Sequence, residues 1–142
     1  MEQEHLFSPV DSDRPKVLCI DDDPEVSRAL GIRLGNHNVE VLRAFHGMQG
    51  FWLALTEKPD LIITDLRMPQ GEGDYVVECL KGNADTRHIP VFVLTGRRDK
   101  NLQRRMQNLG VDDYFLKPID FDLLRDHLKR FIPLAEDLAL QP

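Results

Sequence analysis

Five times in succession the chain follows a short β-rich apolar run with a stretch of helical periodicity, and this alternation limits its architecture more than any other feature. "KVLCI" precedes Val26, Ala29, Leu30, Arg33 and Leu34, and "VEVLRAF" precedes Met48, Phe51, Trp52 and Leu55. "DLIIT" leads to Val76, Val77 and Leu80, "IPVFVLT" to Leu102, Met106 and Leu109, and "DDYFL" to Phe121, Leu124, Leu128 and Phe131. Helical crossovers between strands keep those strands parallel, so consecutive βα units predict a doubly wound α/β fold, a parallel sheet with helices on both faces. Local punctuation agrees: Pro24 suits a helix's first turn, Gly110 a helix stop, and Pro59 and Pro90 precede strands.

A length of 142 residues with 42% hydrophobic content suits one domain with one core. We place that domain at 15–132, after a polar leader, 1–14, expected to be flexible and without chemistry, and before a tail, 133–142. The tail "LAEDLALQP" has weak helical character and reads as a helix extension, a free end or the start of a linker. A net charge of -6 argues against a nucleic-acid surface, which needs a basic face. Cys19 and Cys79 show no metal-site or redox spacing, and the five histidines offer no metal-ligand spacing either. The start "MEQEHLF" lacks the basic and apolar regions of a signal peptide, and no apolar run approaches membrane-spanning length, so a cytoplasmic protein without membrane contact is expected.

The ends of the strand-like runs carry the chemistry. "LIITD" ends in Asp65, "VLCI" runs into Asp21, Asp22 and Asp23, and Thr95 and Lys117 end two more. Adjacent parallel strands lie roughly 4.8 Å apart, so these carboxylates meet at the carboxyl edge, where open α/β sheets hold their ligands. At about 4 Å two like charges repel by roughly 1 kcal/mol in water and about 4 kcal/mol at an intermediate dielectric. The cluster therefore needs a cation. Magnesium, a hard ion that takes one or two carboxylates, waters and phosphate oxygens, fits, and the Lys117 ammonium offsets further charge.

Taken in order, these residues resemble a receiver domain of the bacterial response-regulator family of two-component signalling, of the chemotaxis-protein type, over residues 15–132. The family's acidic pair matches Asp21 and Asp22, and its phosphoacceptor before an x-x-M-P turn matches Asp65 before Met68 and Pro69. Its strand-end Ser/Thr matches Thr95, 30 positions past Asp65, and its Lys-Pro pair matches Lys117 and Pro118, 22 positions past Thr95. Its aromatic matches Tyr114, and its glycine eight residues past the phosphoacceptor matches Gly73. The resemblance implies a five-stranded sheet of flavodoxin-like order 2-1-3-4-5 with five flanking helices. It implies that Asp65 takes a phosphoryl group from a sensor histidine kinase, a histidine phosphotransfer protein or a small donor such as acetyl phosphate. Magnesium would be held by Asp22, Asp65 and the Arg67 backbone carbonyl, with Asp21 acting through water. Lys117 and the Thr95 hydroxyl would each take a phosphoryl oxygen, and Thr95 with Tyr114 would switch the surface of the fourth helix, fifth strand and fifth helix toward a downstream effector. Such a module is a signalling phosphoacceptor rather than an enzyme, binds no nucleic acid directly, and in this family can dimerise through the fourth and fifth helices. In relatives the side chains two positions past the phosphoacceptor and past the Ser/Thr flank the path of attacking water; here they are Arg67 and Arg97, whose size and charge are expected to slow hydrolysis.

Blander readings stand beside these. Asp23 reads as a helix cap, Tyr114 as a half-buried strand aromatic, Gly96 as either a mobile loop position or an eased turn, and Phe51 with Trp52 as helix core. Arg97, Arg98, Lys100, Arg104 and Arg105 read as a solvated face, or as a docking surface for an acidic partner. Rival functions are a receiver-shaped scaffold independent of phosphorylation and a haloacid-dehalogenase-like phosphatase, for which Asp21 and Asp23 would form D-x-D. The sequence can also be the amino-terminal piece of a longer regulator, kinase or cyclase.

Overall fold

A computed structural model describes residues 14–67 and 72–138. Five strands and five helices alternate: β1 Lys16–Ile20, α1 Pro24–Gly35, β2 Glu40–Ala44, α2 Gly47–Glu57, β3 Leu61–Thr64, α3 Glu72–Gly82, β4 Val91–Thr95, α4 Lys100–Leu109, β5 Asp113–Leu116 and α5 Phe121–Leu128. The strands form one parallel sheet in the order β2-β1-β3-β4-β5, as the resemblance implied. The three inner strands are buried on both faces apart from Lys16, which explains why their sequences read as continuous apolar runs rather than alternating ones.

Alternate strand residues feed two cores. Leu18, Ile20, Ile62, Val91 and Val93 meet α2, α3 and α4 through Ala54, Val76, Val77, Leu80, Leu102 and Met106. Val17, Cys19, Ile63, Phe92 and Leu94 face the other way, against Leu30 and Leu34 of α1 and Phe121, Leu124 and Leu128 of α5. The caps follow local chemistry. Pro24 occupies the first turn of α1, Asp99 and Asp120 accept backbone N–H bonds at the starts of α4 and α5, and Gly110 ends α4 at a φ of 102°.

One helix departs from expectation. Trp52 is not core: it is 64% exposed and Met48 45%, while α2 turns Gly47, Gly50 and Ala54 inward, with Phe51 and Leu53 half-buried against the core. The cause is closeness. A Cβ built on Gly50 would lie 2.4 Å from Ile20 Cδ1, so a larger residue there would have to displace Ile20; Met48 and Trp52 face outward while Phe51 and Leu53 pack from the sides.

The segment after α5 is tied down as far as it is described. The Ala135 and Leu138 amides donate to the carbonyls of His37 (3.0 Å) and Asn36 (2.7 Å), and His37 Nδ1 donates to the Ala135 carbonyl at 2.8 Å. This stretch, as far as residue 138, runs back along the end of α1, stapled by a buried histidine stacked on Phe121.

Candidate functional site

The strand register delivers the site. Ile20 pairs with both Ala44 and Thr64, so β2, β1 and β3 end level, while Thr64 pairs with Val93, so β4, with β5 paired to it through Thr95 and Leu116, runs two residues further. The ladder then runs one residue further: Asp21 N–H donates to the Ala44 carbonyl at 3.0 Å, Asp65 N–H to the Ile20 carbonyl at 2.9 Å, and Lys117 N–H to the Thr95 carbonyl at 2.8 Å. Backbone hydrogen bonds thus fix the bases of three charged side chains at one edge.

Their heads converge. Lys117 Nζ lies 2.8 Å from Asp21 Oδ2 and 2.9 Å from Asp65 Oδ2, bridging two carboxylates that are only 1% and 4% exposed. The remaining oxygens take backbone donors: Asp21 Oδ1 accepts from Asp23 N–H and Asp65 Oδ1 from Arg67 N–H, both at 2.9 Å. Asp22 stands exposed beside them, and one oxygen from each of Asp21, Asp22 and Asp65 fits within a 4.8 Å group, the metal-capable cluster among the described residues. Two anions share one lysine, so net negative charge remains. Such an all-oxygen donor set suits a hard divalent cation.

Titration follows the geometry. Burial pushes the Asp21 carboxyl above the ordinary aspartate value, against the hydrogen bond and charge of Lys117. Burial alone would lower Lys117, but its hydrogen bonds to Asp21 and Asp65 and their charges prevail and hold it above the ordinary lysine value. Cys19, behind the site, is pushed up to about 12 by burial and then by Asp21, so its thiol stays protonated and inert.

The other expected residues fall around this centre. Thr95 is buried, and its Oγ1 accepts a long 3.4 Å bond from Arg97 N–H. Tyr114 is half-buried, its hydroxyl donating to the Arg97 carbonyl at 3.0 Å. Asp23 caps α1 by accepting from Glu25 N–H at 3.0 Å, as read from the sequence. A Cβ at Gly96 would meet nothing within 4 Å, so no close approach requires that glycine. Met68 and Pro69 lie outside the described residues.

Gly73 does have a steric reason. A Cβ there would come within 2.5 Å of Leu66 Cα and 2.6 Å of its carbonyl, both backbone atoms that cannot swing aside. The start of α3 therefore presses against the residue that follows Asp65. Gly73→Ala is expected to destabilise the fold by about 1–3 kcal/mol, the usual overpacking cost, seen as a lower urea midpoint; an unchanged midpoint would contradict the close approach.

Not every member of the basic set on α4 and its approach is simply solvated. Arg105 binds Asp74 at 3.0 Å and also pairs with Glu78, and Arg97 lies 3.7 Å from Asp74. Asp74 is not among the residues that strand-end position marks out. The available signal was an acidic pair four residues apart on α3, opposite a basic α4.

Comparison with known proteins agrees with this geometry. Residues 17–129 match the response regulator receiver domain family. The chain is 36% identical over 111 residues to hybrid signal transduction histidine kinase D of Dictyostelium discoideum, covering 78% of this chain but only 7% of that protein. It is 33% identical over 109 residues to protein PilH of Pseudomonas aeruginosa, covering 77% of this chain and 90% of the relative. In structure it overlays the chemotaxis response regulator CheY4 of Vibrio cholerae with a TM-score of 0.76, across 84% of this chain and 99% of that one, at 24% identity. With the strand order, the acidic edge and the family match over most of its length in agreement, the chain belongs to the response regulator receiver domains, the phosphoaccepting modules of two-component signalling.

Proposed function

We propose that Asp65 is the phosphoacceptor of this receiver, and that the observation carrying the assignment is the shared lysine: Asp65 and Asp21 both hold Lys117, at the carboxyl edge of the sheet. An Asp65 oxygen attacks phosphorus in line, the bond from phosphorus to the donor breaks, and its electron pair leaves with the donor. Lys117 is placed to neutralise one phosphoryl oxygen and the Thr95 hydroxyl to donate to another. Positioning and charge do most of the work in such transfers, so no separate acid or base is needed.

Receiver domains bind magnesium at an acidic pocket, and the Asp21, Asp22 and Asp65 cluster suits one. Asp22, Asp65 and the Arg67 carbonyl would hold the ion, with Asp21 acting through water, and it would supply charge neutralisation at the phosphoryl oxygens. Magnesium at a tenfold excess over its dissociation constant is expected to stabilise the protein by about 1.4 kcal/mol, a rise of roughly 4 °C in melting temperature for a domain of this size. Asp22→Asn should lose most of that rise. An equal rise in wild type and variant would place the cation elsewhere.

The donor is a sensor histidine kinase or a histidine phosphotransfer protein. An apolar cleft lined by Val26, Ala29, Leu30, Leu94, Pro118 and Ile119 lies beside Lys117 and offers such a donor a contact surface. The output is a change at Thr95 and Tyr114 that reaches the face of α4, β5 and α5, read by a downstream effector protein or domain. Arg67 and Arg97 flank the phosphoryl group and restrain water. We take 15–132 as the receiver unit, supported by the packing of Ile132 into the second core, with 133–142 continuing as tail or linker. A cytoplasmic setting follows from the family role; no helix of the described residues is long and apolar enough to cross a membrane.

A further inference from the structure

We propose that Asp74 is a positioning residue for loss of the phosphoryl group: it competes with that group for Arg97 and thereby sets how long Asp65 stays phosphorylated. The proposal rests on Asp65 being the phosphoacceptor and on Arg97 flanking its phosphoryl group.

The backbone of Arg97 is held on both sides, its N–H by Thr95 Oγ1 and its carbonyl by the Tyr114 hydroxyl, while its side chain is a flexible stem. The guanidinium lies 3.7 Å from Asp74 Oδ1. That is too long for a hydrogen bond and short enough for Coulomb attraction. Asp74 Oδ1 is itself buried and accepts no hydrogen bond among the described residues, although the other oxygen takes Arg105 at 3.0 Å. A buried carboxylate oxygen without a donor costs free energy, so the pair is poised: a small movement makes the bond, and a small pull breaks it.

Asp74 is also well placed to compete. It follows Gly73, which is pressed onto the backbone of Leu66, the residue after Asp65. Arg97 is tied to the same edge: its N–H binds Thr95 Oγ1, the Thr95 carbonyl carries the Lys117 N–H, and Lys117 holds Asp65. Phosphorylation replaces a single carboxylate charge with a phosphoryl group of about -1.5 to -2, and Arg97 then has two acceptors.

The partition of Arg97 decides the rate. In hydrolysis a water oxygen bonds to phosphorus, the bond from phosphorus to Asp65 breaks, its electron pair returns to the carboxylate, and the water proton leaves with inorganic phosphate. A guanidinium over the phosphoryl group obstructs that water; one drawn toward Asp74 leaves its path open. Asp74→Asn keeps the shape and removes the competing charge, so Arg97 stays on the phosphoryl group longer.

The test follows decay of the phosphorylated protein by intact mass after the donor is removed, in wild type, Asp74→Asn, Arg97→Ala and the double variant. Asp74→Asn is expected to slow decay by about threefold to fivefold, the worth of one partly exposed ion pair. Arg97→Ala is expected to speed it, and adding Asp74→Asn to Arg97→Ala should change nothing further. A purely structural role for Asp74 would act with or without Arg97. Equal slowing in both backgrounds, or unchanged or faster decay in Asp74→Asn alone, overturns the proposal. Wild-type protein that takes no phosphoryl group overturns the Asp65 assignment first, and this proposal with it.

Discussion

Asp65→Asn is expected to reduce phosphoryl uptake to the level of untreated protein, from a small donor and from a histidine-phosphorylated donor alike. The amide matches the carboxylate in shape, so the ladder bond to Ile20 and the bond from Arg67 N–H survive, but the anionic oxygen that attacks phosphorus is gone. The variant should still fold. It removes one of two buried anions that share a single lysine, and Asp65 is among the charges that raise Asp21. The checks are intact mass for uptake and a thermal melt for the fold. Uptake that persists in a folded Asp65→Asn protein would transfer the role to another residue, Asp22 being the nearest alternative carboxylate.

Lys117→Ala should be nearly as damaging, by a different route. It removes a cation aimed at the site of charge development, and the loss of one such preorganised group typically costs roughly a hundredfold in rate. It also leaves Asp21 and Asp65 buried without their shared counter-ion, at a cost of about 1–3 kcal/mol once the partial exposure of Lys117 is allowed for. That cost depends on pH with a definite sign. Asp21 already sits above its ordinary value through burial, and Lys117 opposes that shift, so the variant's Asp21 rises further. The native state then holds a proton that the unfolded chain has released. Stability falls as pH rises through the native pKa and is recovered toward acid, so the penalty should be larger near about pH 7.5 than near about pH 5. In wild type the raised Lys117 contributes fully at neutral pH, and its contribution is lost only in strong alkali, above the ordinary lysine range. A penalty that is flat between the two acidities would mean the carboxylates were not relying on this lysine.

The site was legible in the sequence because a parallel sheet converts position at a strand end into position in space. Asp21, Asp65, Thr95 and Lys117 each end or follow a strand, and the parallel register puts all of those ends at one edge of the sheet, within two residues of level. The expectation for Asp23 succeeded for a local reason, since a cap bonds two residues on. The phase of α2 was not legible. Apolar periodicity assumes that large residues face inward, and the close contact of Gly50 with Ile20 reverses that, sending Trp52 and Met48 to the surface. The Asp74, Arg97 and Arg105 group joins residues of α3 to α4 and its approach, so the acidic spacing on α3 does not by itself say which cations meet it. Nor does anything in "LAEDLALQP" foretell hydrogen bonds to Asn36 and His37, a contact that exists only once α1 and α5 lie side by side.

The two rival functions are not equally affected by these observations. The phosphatase reading leaves Asp65 without a role, whereas Asp65 shares Lys117 with Asp21 and the chain matches the receiver family over residues 17–129. A receiver-shaped scaffold would leave no reason for two buried aspartates to converge on one lysine, an arrangement that costs desolvation and gains little unless a cation and an anion join it.

The most direct test of the phosphoacceptor assignment is the intact mass of the wild-type protein after incubation with acetyl phosphate, with and without magnesium, followed by a histidine-phosphorylated donor. The expected result is a gain of one phosphoryl group that requires magnesium and maps by fragmentation to the peptide containing Asp65. No gain from either donor, or a gain mapped to any other residue, would contradict it.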